Sequence, residues 1–235
     1  MLIDLILRQL QAYFTLGLVL SVFLSYSEAD IMHKSSNDSL RTIVFFGDSL
    51  TAGYGVEQDE AFPALIQSQL DSLNWPFEVV NAGLSGETSA GGLRRVDWVL
   101  QRPVDIFVLE LGANDGLRGI NLKSTEANLK KIIDKVRAKY PESDLVVVGM
   151  EMPPNFGPDY TKKFRELFPN LAKLYNAALV PFLLEGVVLV PEEEKLFRSN
   201  HPTAEGHKIL AENVWKIVKP IAARRLDKLN PKSSN

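Results

Sequence analysis

The chain has 235 residues, of which 46% are hydrophobic, 23% charged and 9% aromatic, a balance that suits one globular domain with a full core and excludes disordered or fibrous architectures. Its formal charge of −3, from 26 Lys and Arg against 29 Asp and Glu, leaves no electrostatic footprint for a phosphate backbone, so nucleic acid is not an expected partner. The absence of cysteine removes disulfides, thiolate metal sites and a cysteine nucleophile.

Taken in chain order, the first feature is an uncharged apolar run from Ala12 to Tyr26. It is shorter than the roughly 20 residues of a spanning helix, and Gly17, Ser21 and Ser25 weaken it further. Followed by Ser27-Glu28-Ala29, with small residues where a signal peptidase reads, it predicts a signal peptide over residues 1–29 with cleavage before Asp30. The alternative is an uncleaved N-terminal membrane anchor. A periplasmic or secreted location is therefore expected. Residues 30–41 are polar and read as a tether, residues 42–222 as the domain, and residues 223–235 as a polar C-terminal tail.

Within the domain, short β-branched runs alternate with longer amphipathic segments, the pattern of parallel βαβ units. Strands are predicted over 42–46, 77–80, 104–111, 145–148 and 179–182, mostly continuous hydrophobic runs as burial on both faces requires. Helices are predicted over about 61–73, 88–100, 124–139, 159–174 and 203–219. Ser124 suits the N-cap of the third, and Pro141 marks its end. The fold class is α/β, a three-layer αβα sandwich with a five-stranded parallel sheet of flavodoxin-like order.

Ligands of such sheets sit at the carboxyl ends of the strands. The residues at those positions are Gly47-Asp48-Ser49-Leu50, then Asn81-Ala82-Gly83, then Gly112-Ala113-Asn114-Asp115, with Asn200-His201-Pro202 beyond the fifth strand. Singly, each has a bland reading as a turn or cap residue. Together they supply a serine, an imidazole, an amide and backbone N–H groups on one rim, the parts needed for acyl transfer. Of the three histidines only His201 lies at that rim. His33 falls in the tether, and His207 reads as a solvated or packing residue of the last helix. No convincing set of metal ligands accompanies them, and neither a metal nor an organic cofactor is implied. Gly53-Tyr54-Gly55 alone is a weak nucleotide-binding signal.

These four ordered blocks resemble those of the GDSL or SGNH hydrolase superfamily, over about Thr42 to Pro220, and look most similar to its bacterial branch of thioesterases, lysophospholipases and arylesterases. The resemblance implies that Ser49 is the nucleophile and His201 the general base. It further implies that the N–H groups of Ser49 and Gly83 and the side-chain amide of Asn114 form the oxyanion hole. In one respect the chain departs from the family: the acid usually found three residues before the histidine is replaced by Arg198. Three outcomes are open: a Ser-His dyad oriented by a backbone carbonyl, a carboxylate recruited from Glu192-Glu193-Glu194, or loss of most activity. Arg198 is expected to point to solvent, because a cation turned inward would oppose charge on His201.

The expected function is that of a serine carboxyl-ester hydrolase acting on small-molecule acyl esters, lysophospholipids or thioesters, with no stable protein partner evident. The loop Met150 to Pro158, after the fourth strand on the same rim, is expected to line an acyl pocket with its Met and Phe side chains. The alternative is a catalytically weakened domain that serves as a binding module for acylated glycans or lipids.

Overall fold

The computed structural model describes residues 40–188, 196–198 and 200–227. The expected signal peptide, most of the tether and the Glu192–Glu194 run lie outside these residues.

Five strands alternate with helices as the periodicity requires: β1 (Arg41–Gly47), β2 (Phe77–Gly83), β3 (Ile106–Glu110), β4 (Asp144–Val148) and β5 (Ala178–Val180). All neighbouring pairs are parallel, in the order β2-β1-β3-β4-β5, which is the flavodoxin-like order. The sheet is covered by α2 (Phe62–Ser72) packed on α7 (Ala204–Asp227), and by the group α3 (Ser89–Val99), α5 (Leu122–Lys139) and α6 (Pro158–Leu174). The central strands are buried on both faces, whereas β2 and β5 form the edges and keep half-exposed positions. Phe45, Phe46, Phe62, Phe107, Phe164 and Phe168 form much of the apolar core between the layers.

Three local expectations are corrected. The cap of α5 is Asn121, whose side chain accepts the Lys123 N–H, so the helix begins three residues earlier than a Ser124 cap implies. Helix α7, expected to end near residue 219, runs through Pro220 to Asp227. The apolar face continues past the proline through buried Ile221 and Ala222. Arg224 and Arg225 then tie the last turn to the sheet, binding Asp144 at 2.6 Å each, with Arg225 also 3.1 Å from Asp105. Third, the sequence pattern missed two short helices that follow β1 and β3, namely α1 (Ser49–Ala52) and α4 (Ala113–Leu117).

Among the described residues no helix is long and apolar enough to cross a membrane.

Candidate active site

The register of the sheet brings Gly47, Gly83 and Glu110 into one row at the carboxyl ends of β1, β2 and β3. From Gly47 the chain turns into α1, capped by Asp48, whose carboxylate accepts the Leu50 N–H at 3.0 Å. Gly53, at φ 76°, closes the helix in the left-handed conformation. Ser49 therefore occupies the first turn, where a backbone N–H has no intrahelical acceptor. The turn lies directly on β2: a Cβ at Gly83 would collide with the backbone nitrogen of Ala52. Asn81 fastens this contact, donating to the Thr51 carbonyl at 2.9 Å.

Beneath the turn sits a pair of buried carboxyls. Glu110 Oε2 accepts the Asp48 N–H at 3.2 Å and the Thr51 hydroxyl at 2.8 Å. Burial, reinforced by the Asp48 charge, pushes the Glu110 carboxyl well above the ordinary carboxylate range. Burial likewise raises Asp48, to about 6, against the opposing hydrogen bonds from Leu50, Glu110 and Asn114. Asp48 Oδ2 in turn accepts from Asn114 Nδ2 at 3.1 Å. That bond uses one of the two amide hydrogens and leaves the second for another acceptor.

The imidazole arrives from the other side of the chain. The antiparallel ribbon of β6 (Phe197–Arg198) and β7 (His201–Pro202) turns through Asn200, at φ 65°, and places Arg198 directly opposite His201. His201 Nε2 lies 2.9 Å from Ser49 Oγ. Tyr54 packs against the imidazole with ring centroids 4.8 Å apart. A cleft of about 710 Å³ opens beside this pair, bounded by Tyr54, Val56, Glu60, Arg198, His201 and Glu205.

Ser49, Asn114 and His201 thus stand on one rim, with Arg198 exposed at the mouth of the cleft. Gly83 stands there too, but its N–H donates to Asn81 Oδ1 at 3.0 Å, an intramolecular acceptor that the sequence did not reveal. Asp48, Glu110, Asn81 and Tyr54 are the site's contributions that sequence reasoning left unassigned. The acyl-pocket expectation for the Met150 loop fails at its two methionines, while Phe156 is half-buried and stacks on Tyr160. Met150 and Met152 are buried in the core, and Met152 fills the space beside Gly116 and Phe164. Among the described residues no group of His, Cys, Asp or Glu is arranged to hold a metal ion.

His207 is a packing residue and not a solvated one. It is fully buried, accepts the Phe62 N–H on Nδ1 at 3.2 Å and stacks on the Phe62 ring. Burial first, then the His201 charge, lowers its pKa to about 4. The unfolded chain, with a His pKa near 6.5, binds more protons throughout the window between these values. The contribution of this neutral imidazole is therefore complete above pH 6.5 and lost as pH falls towards 4, a change of about 3 kcal/mol. In His207→Asn, whose side-chain carbonyl is able to accept the Phe62 N–H, that fraction of the acid loss should vanish. Urea unfolding at pH 7 and pH 4 measures it; parallel losses in both proteins would refute the assignment.

Comparison with known proteins adds the family. Residues 45–209 match the model of the GDSL-like lipase/acylhydrolase family. The chain is 37% identical over 185 residues to esterase TesA of Pseudomonas aeruginosa, covering 77% of this chain and 89% of that protein. It is 36% identical over 181 residues to thioesterase 1/protease 1/lysophospholipase L1 of Escherichia coli K12, covering 77% and 84%. The crystal structure of the psychrotrophic esterase EstA from Pseudoalteromonas, inhibited by monoethylphosphonate, superposes with a TM-score of 0.71 at 32% identity, over 77% of this chain and 97% of that one. The shared fold, the ordered blocks and this extent of identity make the chain a member of the GDSL-like lipase/acylhydrolase family, and so an ester hydrolase.

Proposed function

We propose that the protein hydrolyses acyl esters and thioesters of small molecules through Ser49 as nucleophile and His201 as general base. The observation that carries this reading is the 2.9 Å approach of His201 Nε2 to Ser49 Oγ, within the reach that proton transfer needs. With the ring proton on Nδ1, Nε2 accepts the Ser49 hydroxyl. As Oγ bonds to the substrate carbonyl carbon, its proton passes to Nε2 and the carbonyl oxygen becomes an oxyanion. The second Nδ2 hydrogen of Asn114 and the Ser49 N–H donate to that oxyanion, joined by the Gly83 N–H once it turns from Asn81. Collapse breaks the bond to the leaving oxygen or sulfur, which takes the proton from His201. Water then repeats the sequence on the acyl-serine, giving the carboxylic acid and free Ser49.

A fluorophosphonate probe tests this directly. It should label Ser49 stoichiometrically and abolish hydrolysis of 4-nitrophenyl esters, because Ser49 alone among the described serines has a histidine within hydrogen-bond reach. Labelling at another serine, with activity preserved, would overturn the assignment.

Export belongs to the same reading, supported by the apolar run Ala12–Tyr26 and the small residues that follow it. Mass analysis of the protein expressed with its full N-terminus should find a chain beginning at or near Asp30 outside the cytoplasm. A soluble cytosolic product retaining Met1 would remove this part.

A further inference from the structure

The cleft beside His201 carries a charge for which the hydrolytic steps have no use. Arg198 stands directly opposite His201 in the β6–β7 ribbon, so the two side chains leave the same face, with Cβ atoms about 5 Å apart in such pairs. Both line the cleft. Two carboxylates also line it, and each is already engaged: Glu205 pairs with Lys208 at 2.7 Å, and Glu60 accepts the Glu57 N–H at 3.0 Å. Arg198 forms no ion pair among the described residues, although it occupies the position where the family places an acid.

The direction of the reaction says which part of a substrate meets it. The oxyanion faces Asn114, whereas His201 hands its proton to the departing group, so the leaving group passes the imidazole. The cleft on the His201 side therefore holds the leaving group. An exposed guanidinium there is a fork of donors matched to a carboxylate or phosphate. Without such an anion, its charge opposes the imidazolium that forms as Ser49 attacks. With one, that opposition is neutralised in the same step.

We propose that Arg198 is a specificity-determining residue that selects esters whose leaving group carries an anionic oxyanion, a carboxylate or phosphate. This rests on the Ser49–His201 reading, because that pair fixes which side of the scissile bond the cleft receives.

The test is a charge series in the leaving group: 4-acetoxybenzoate, its neutral methyl ester, and 4-acetoxyphenyl-trimethylammonium, each followed by release of the phenol. Comparing ratios of kcat/KM between wild type and variants cancels the intrinsic reactivity of each ester. The ratio of anionic to neutral ester should fall about tenfold or more in Arg198→Gln, the worth of a charge-assisted hydrogen-bonded pair. Arg198→Lys should retain part of the preference, and Arg198→Glu should turn it towards the cationic ester. A ratio in Arg198→Gln within twofold of wild type overturns the proposal. Calorimetric binding of 4-hydroxybenzoate to Ser49→Ala and to Ser49→Ala/Arg198→Gln reads the same contact without turnover. Arg198-dependent binding without hydrolysis of any ester by the wild type sinks the catalytic reading and supports the anion site. Hydrolysis with no Arg198-dependent preference does the reverse, and absence of both removes the two together.

Discussion

Ser49→Ala is expected to lower kcat for 4-nitrophenyl acetate by about 10⁴- to 10⁶-fold, with His201→Ala within an order of magnitude of it. The serine hydroxyl is a poor nucleophile unless a base takes its proton, and that base lies 2.9 Å away. The two residues act as one unit, so the double variant should be no slower than the slower single variant. Multiplicative losses would mean that the two groups serve separate steps. Equal trace activity in wild type and Ser49→Ala would remove the hydrolytic reading and leave the binding-module alternative.

The rim was legible in the sequence because a parallel sheet sends every strand end to one side, so that Gly47-Asp48-Ser49, Asn81-Ala82-Gly83 and Gly112-Ala113-Asn114 had to meet there. The support beneath the rim was not. Glu110 reads as a single polar interruption at the end of the hydrophobic strand β3, and its partners Asp48 and Thr51 lie 62 and 59 residues away in sequence. Only the register of β1 against β3 makes them neighbours. Helices α1 and α4, of four and five residues, are too short to show a hydrophobic period. The two-residue strands of the β6–β7 ribbon escape detection for the same reason.

Two other differences arise where composition is ambiguous and packing decides. Apolar residues following a strand line a pocket in some folds and fill the core in others, and Met150 and Met152 took the second course because Gly116 leaves a space that Met152 occupies. Pro220 would end an isolated helix. Here the buried Ile221 and Ala222, and the arginine pairs to Asp144 and Asp105, outweigh the lost backbone bond and carry α7 to Asp227. Arg198 was expected in solvent and is exposed, yet the ribbon turns it alongside the imidazole at the cleft, a placement that required the pairing of β6 with β7.

The Asp48–Asn114 contact sets the second large effect. Removing the amide in Asn114→Ala should reduce kcat about 10²- to 10³-fold with little change in KM, because its second hydrogen is used only once the oxyanion has formed. Asp48→Asn should reproduce part of that loss although Asp48 is not expected to touch the substrate. The carboxylate accepts from Leu50 N on one oxygen and from Asn114 Nδ2 on the other. An amide has a single acceptor oxygen, so Asp48→Asn leaves one of these donors without its partner, at a cost of about 1–3 kcal/mol. If that donor is Asn114, the amide swings and the oxyanion loses it. A double-mutant cycle separates this from general damage to the turn. The pair should be strongly non-additive in kcat, with Asp48→Asn costing little once Asn114 is Ala. Full additivity would instead mean that Asp48 acts through the α1 cap alone, and its bond to Asn114 would have no part in holding the oxyanion donor.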